Sequence, residues 1–135
     1  MASVLFLCVA NSARSQLAEA ICRQVLPHIE SWSAGSKPTH VRPQVRLVLD
    51  EVGFDSHGLR AKGLAEIPFD EMDLVITLCA EEKCPLLPSM VKRISWPLPD
   101  PAAAPDDESL EAFRATRDEL IRRLPSLKEE LGANG

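Results

Sequence analysis

Two short apolar runs, VLFLC and LVITL, limit what this 135-residue chain can fold into. Each is apolar on both faces of a would-be strand. Such strands belong in a parallel sheet covered on both sides. The first run, Ser3–Cys8, is followed from about Ser12 to Leu26 by helical spacing at Leu17, Ala20, Ile21 and Val25, which Pro27 stops. A short strand, Glu30–Ala34, ends at Gly35. Pro43 suits the first turn of a second helix, whose face of Val45, Val48, Leu49 and Val52 runs to Gly53. Leu74–Leu78 is the third strand and Val91–Ser95 the fourth. Asp106 and Asp107 then open a last helix, with Leu110, Phe113, Thr116, Arg117, Leu120, Ile121 and Leu124 at mostly helical spacing and a kink at Pro125. Strands alternating with helices predict an α/β fold. The expectation is a single domain over residues 1–135, with a four-stranded parallel sheet and helices on both faces.

Ligands of such sheets bind beyond the carboxyl ends of the strands. That edge collects Cys8, Cys79 and the loop after Ser95. The net charge of −5 argues against a general affinity for nucleic acid or anionic membranes, so an anion needs a local site. No apolar run approaches the ~20 residues of a membrane span. The opening VLFLCVANSA also has the look of a secretion signal, but nothing before Arg14 is basic and cleavage there would remove a core strand. The expectation is therefore a cytoplasmic protein whose four cysteines are thiols.

The segment C-V-A-N-S-A-R-S, from Cys8 to Ser15, joins the first strand to the first helix. A turn wrapped around a helix start points successive backbone N–H groups into one hollow, and the helix end adds positive charge. Val9, Ala10, Asn11, Ser12, Ala13 and Arg14 would form this oxyanion loop. Arg14 can grip two oxygens of a tetrahedral anion. Cys8 would lie beneath it, in a field of the kind that favours thiolates. Ser15 is placed to donate to the sulfur, and Asn11 is a residue type that tolerates the left-handed conformation tight loops need.

This start resembles the low-molecular-weight protein tyrosine phosphatase superfamily, whose signature is C-x5-R-S after the first strand. The resemblance covers nearly the whole chain, including SWSAG at Ser31–Gly35 and the pair Asp100-Pro101. It implies a low-molecular-weight phosphatase-like fold with Cys8 as nucleophile and Asp100 as general acid. Two branches differ in the second half. The stretch DLVITLCAEEKCPLLP is similar to the VTLC…CP pattern of thioredoxin-coupled arsenate reductases, with a shorter loop between the cysteines. The resemblance then implies reduction of arsenate to arsenite by a relay of Cys8, Cys79 and Cys84, with thioredoxin as external dithiol and no cofactor. Phosphatases of the family usually carry tyrosine after the Asp-Pro pair. Here the residue is Ala102, and the chain has no tyrosine.

Alternatives stay open at this stage. Hydrolysis of phosphate monoesters needs only Cys8, Arg14 and Asp100. A low-molecular-weight thiol with a glutaredoxin-like partner would make Cys84 dispensable. A non-enzymatic module could use the thiols to hold arsenite or zinc. Zinc is disfavoured because Cys22, His28, His40 and His57 lack metal-knuckle spacing around Cys79 and Cys84. Cys22, in mid-helix, reads as packing, and Trp32 and Trp96 as partial core. Glu111, Arg114, Arg117, Asp118 and Arg122 read as a paired helix surface. Some reductases of the family bind potassium behind the anion loop. Asn11, Glu19 and Ser33 match those positions, and Lys62 stands near the remaining acidic ligand, so an ammonium would replace the cation.

Overall fold

The strand β1 (Ser3–Cys8) is buried along its whole length and forms the centre of the sheet. It is flanked by β2 (Glu30–Gly35) and β3 (Leu74–Thr77), and β4 (Arg93–Ser95) closes the β3 side. The order is β2-β1-β3-β4, and every pair is parallel. The computed structural model describes residues 2–79 and 91–131.

Alternation along the strands sorts the core into two layers. Val4, Phe6, Leu74 and Ile76 face α1 (Arg14–Val25), α2 (Pro43–Glu51) and α3 (Ser109–Arg123), through Leu17, Ile21, Val48, Leu49, Phe113 and Leu120. Leu5, Leu7, Ala34 and Val75 face the other way, against Ile67, Met72, Trp32 and Leu64. On that face the described helical structure is two one-turn 3-10 helices, Leu64–Glu66 and Phe69–Glu71. Each fully buried Leu or Phe contributes about 1.5–3 kcal/mol, so the larger layer holds the fold together. Trp96 packs at its margin, as Trp32 does on the smaller one.

The elements follow the sequence reading, with instructive shifts. α1 starts at Arg14, because Ser12 and Ala13 belong to the preceding loop. Pro43 is the first helical residue of α2. After Pro105 the acidic residues Asp106–Glu108 form a 3-10 turn, closed by Glu108 N–H donating to Pro105 C=O, and α3 begins only at Ser109. Pro125 lies in a 3-10 turn, Leu124–Ser126, that leads into α4 (Leu127–Glu130). The surface pairing of α3 also differs. Arg114 and Arg117 reach across to Glu51 of α2, and Arg117 donates to Val48 C=O at 2.9 Å, which clamps the two helices together. Among the described residues no helix is long and apolar enough to cross a membrane.

With this strand order the chain leaves β1 toward β2 in one direction and reaches β3 in the other. The topological switch point therefore lies between β1 and β3, where open sheets form their crevice. The cysteines Cys8 and Cys79 both stand at that crevice.

Candidate active site

The loop from Cys8 to Arg14 is held from outside by its carbonyls. Val9 C=O accepts from Lys37 N–H at 2.9 Å, Ala10 C=O from Thr39 N–H at 3.0 Å, and Ser12 C=O from Arg42 N–H at 2.9 Å. Asn11 C=O accepts from Gln16 Nε2, and Ala13 C=O from Leu17 N–H. In a planar trans peptide the N–H points opposite to the C=O. Turning these carbonyls outward thus turns the following N–H groups inward. They face a cavity of about 280 Å³ lined by Cys8, Val9, Ala10, Ser12, Ala13, Arg14 and Asp100. α1 begins at its rim. Its N-cap is Ala13, with no side-chain cap among the described residues and no acidic residue in the first turn. The positive end of the helix is directed at the same hollow.

Close approach makes this loop possible. Gly35 is the register partner of Cys8, and a Cβ there would lie 2.3 Å from Val9 O and 2.8 Å from Asn11 N. Asn11 adopts φ 49°, the one positive φ of a non-glycine residue among those described. Its amide makes the conformation affordable: Oδ1 accepts from Lys62 N–H at 2.7 Å and from Gln16 Nε2 at 2.9 Å, while Nδ2 donates to Ser15 Oγ at 2.7 Å.

Cys8 is buried, and its sulfur lies 2.9 Å from Ser15 Oγ. Arg14 is 3% exposed. Its Nη1 donates to Leu98 C=O at 3.0 Å and, more weakly, to Leu78 C=O at 3.4 Å. These bonds fix the plane of the guanidinium at the sheet edge. Asp100 opens the turn Pro101–Ala103 and accepts from Ala102 N–H at 3.0 Å through Oδ1. Its other oxygen lies 3.9 Å from Arg14 Nη2. A nucleophile, an anion cradle and a carboxyl group therefore share one cavity, which suits attack on a tetrahedral oxyanion. A larger cavity of about 510 Å³, between the Asp-Pro turn and α3, gathers Leu98, Pro101, Ala104 and Ala112, borders Asp100 and is lined by no cysteine.

Cys79 follows β3, is nearly buried and is disulfide-bonded, so the expectation of four free thiols does not hold. The pairing Leu7↔Thr77, continued by one residue, sets Leu78 opposite Cys8 and Cys79 one position beyond, on the adjoining strand. Strands pair about 4.8 Å apart, so the two cysteines share one end of the crevice. Cys84 lies outside the described residues. Cys22 is fully buried in α1, and burial pushes its thiol up to about 12, against a lowering influence of the nearby Ser31 hydroxyl. Its chemistry is that of a packing residue.

Lys62 is buried behind the loop. Its Nζ lies 3.3 Å from Glu19 Oε1, donates to Arg60 C=O at 3.0 Å and stands 3.4 Å from Ser33 Oγ. Ser33 donates to the same carboxylate at 2.6 Å, and Arg23 pairs with its second oxygen. The ammonium thus meets Glu19 and Ser33 as expected, whereas Asn11 is met by the Lys62 backbone N–H instead. Sequence reasoning missed three parts of the site: the carbonyls of Leu78 and Leu98 that aim Arg14, the amide of Gln16, and the Lys62 N–H. Backbone groups leave no signal in residue types. Gln16 left none either, because it is one of several buried polar residues in α1, with Arg14, Ser15 and Glu19.

Comparison with known proteins agrees with this geometry. Residues 3–135 match the family described as low molecular weight phosphotyrosine protein phosphatase. An arsenate reductase of Bacillus subtilis (strain 168) is 36% identical over 131 residues, covering 93% of this chain and 94% of that one. Among solved structures, an arsenate reductase in the phosphate binding state superimposes with a TM-score of 0.82 at 30% identity, over 98% of this chain and all of the other. A thioredoxin-dependent arsenate reductase of Corynebacterium glutamicum gives a TM-score of 0.75 at 27% identity, covering this whole chain and 64% of that one. With the C-x5-R-S loop, the sheet and the Asp-Pro turn all in place, the chain belongs to the low molecular weight phosphotyrosine protein phosphatase family.

Proposed function

We propose that this protein is an arsenate reductase that works through Cys8, Cys79 and Cys84 and is recycled by thioredoxin. The observation that carries the reading is a second cysteine, Cys79, that follows β3 at the same sheet edge as Cys8. Hydrolysis has no use for that second cysteine, whereas a thiol relay does, and the disulfide it forms is the product such a relay leaves for an external dithiol.

Arsenate binds the N–H groups of residues 9–14 and the Arg14 guanidinium. Cys8 Sγ attacks arsenic, an As–O bond breaks, and Asp100 supplies the proton with which the oxygen leaves as water. Cys79 Sγ then attacks Cys8 Sγ. The S–As bond breaks and its electron pair stays on arsenic, so arsenic(V) becomes arsenic(III) and departs as arsenite. Cys84 attacks Cys79 and frees Cys8. The dithiol of thioredoxin reduces the resulting Cys79–Cys84 disulfide. Ser15 donates to the Cys8 sulfur in its thiolate form. The relatives named as arsenate reductases, one of them thioredoxin-dependent, support both the substrate and the donor.

The test is arsenate-dependent NADPH consumption with thioredoxin and thioredoxin reductase. Steady turnover is expected in the wild type and none in Cys8→Ser or Arg14→Ala. Cys84→Ser should release about one arsenite per chain and stop. Sustained cycling of Cys84→Ser without added thiol would refute the three-cysteine relay. Because Cys8, Arg14 and Asp100 suffice for phosphate chemistry, slow aryl-phosphate hydrolysis is an expected side activity. Brisk hydrolysis without arsenate turnover would make the protein a phosphatase.

A further inference from the structure

Gln16 is fully buried next to the anion loop and is not among the residues that line the cavity. Its amide nitrogen faces three carbonyl-type oxygens: Asn11 O at 3.0 Å, Asn11 Oδ1 at 2.9 Å and Arg60 O at 2.8 Å. Its own oxygen is buried without a partner among the described residues. A buried carbonyl left unpaired is costly, and turning the amide over would set that oxygen against three others. The side chain is therefore committed to donating, at the expense of its acceptor.

The consequence travels along a chain of hydrogen bonds. The backbone N–H of Lys62 can only donate, and it meets Asn11 Oδ1 together with Gln16 Nε2. Two donors on one oxygen fix which end of the Asn11 amide is which. The other end, Nδ2, must then donate to Ser15 Oγ. A hydroxyl that accepts from Asn11 turns its single proton elsewhere, and Cys8 Sγ stands 2.9 Å away. Gln16 also holds the Asn11 carbonyl, across a residue at φ 49°.

We propose that Gln16 is a positioning residue: with the Lys62 N–H it sets the polarity of the relay Gln16–Asn11–Ser15, so that Ser15 donates to the Cys8 thiolate. The proposal rests on the reading of Cys8 as nucleophile. It does not rest on arsenate as substrate, and its test leaves arsenate out.

The test is the rate of Cys8 carboxamidomethylation by iodoacetamide in the full chain, followed by peptide mapping so that other cysteines do not contribute. Gln16→Met keeps the length and removes the donor. Its expected effect is a slowing of about fivefold, the size of losing one neutral hydrogen bond to the Asn11 amide while the Lys62 N–H still holds Oδ1. Ser15→Ala should slow Cys8 by a similar factor, and the double variant no further than Ser15→Ala alone. A residue that only supports the fold would instead multiply the two losses. Asn11→Gly covers the case in which Gln16→Met does not fold. Glycine accepts positive φ without strain, so this variant keeps the loop conformation accessible while removing the amide and its bonds to Ser15, Gln16 and the Lys62 N–H. It should fall to the Ser15→Ala rate. Multiplied losses, or a rate within twofold of wild type in Gln16→Met or Asn11→Gly, would overturn the proposal.

Discussion

Gly35→Ala should disable the site without touching any group that does chemistry. The residue ends β2, pairs in register with Cys8, and donates its N–H to Lys62 C=O at 3.0 Å. An added Cβ would meet Val9 O at 2.3 Å, Asn11 N at 2.8 Å and Val9 C at 2.9 Å. All three are backbone atoms, so no side chain can swing aside. The shortest contact falls about 1 Å below ordinary van der Waals separation, and the loop must retreat by about that much. A displacement of ~1 Å in a reacting geometry costs on the order of 100-fold in rate. Overpacking should cost about 1–3 kcal/mol of stability, which leaves the chain folded. The assays are phosphate affinity by calorimetry, arsenate kcat/KM, and thermal melting. Gly63→Ala is the control. Gly63 forms a bridge with Gly35, but its Cβ would lie 3.6 Å from Pro38 Cγ, an ordinary contact. If Gly35→Ala bound phosphate and turned over arsenate within threefold of wild type, the account of the loop as a cradle pressed against β2 would be wrong.

Other consequences can be measured in parallel. Exchanging sodium for potassium should leave turnover and melting temperature unchanged, because the Lys62 ammonium already meets Glu19 and Ser33; a potassium-specific gain would contradict this. Lys62→Met should destabilise the fold by about 3 kcal/mol, since it leaves a buried carboxylate with Arg23 as its remaining cation; chemical denaturation reads this directly. Cys22→Ala should retain wild-type turnover, and Cys22 should resist iodoacetamide at neutral pH, because its thiol is pushed up to about 12 by burial. Hydrogen bonds from Arg114 and then Arg117 lower the Glu51 carboxyl from 4.5 to about 2. Its contribution to stability is complete above about pH 4.5 and disappears as pH falls through about 2. Glu51→Gln should therefore melt earlier than wild type at pH 6, with the difference closing toward pH 2.

The elements whose both faces are buried were readable as such. β1 and β3 have apolar side chains at every position between Val4 and Leu7 and between Leu74 and Ile76, so no other element suited them. β4 was harder to bound. It is an edge strand with a single neighbour and an exposed Arg93, and its pairing contracts to three residues. The loop was legible in kind, because a strand, a cysteine, five residues and an arginine before a helix leave few other geometries. Its polarity was not legible. Whether Asn11 offers Ser15 an oxygen or a nitrogen depends on a backbone N–H from residue 62, which lies 51 positions away in sequence. The same holds for Arg14, whose residue type announces an anion grip but whose aim comes from the carbonyls of Leu78 and Leu98. Side-chain identity thus states which chemistry is on offer. Its direction is set by main-chain groups that the fold brings in from β3, from the loop after β4 and from the segment before residue 63. For that reason a variant such as Gly35→Ala, remote from the reacting atoms in chemistry but pressed against that main chain, should cost more activity than its residue type suggests.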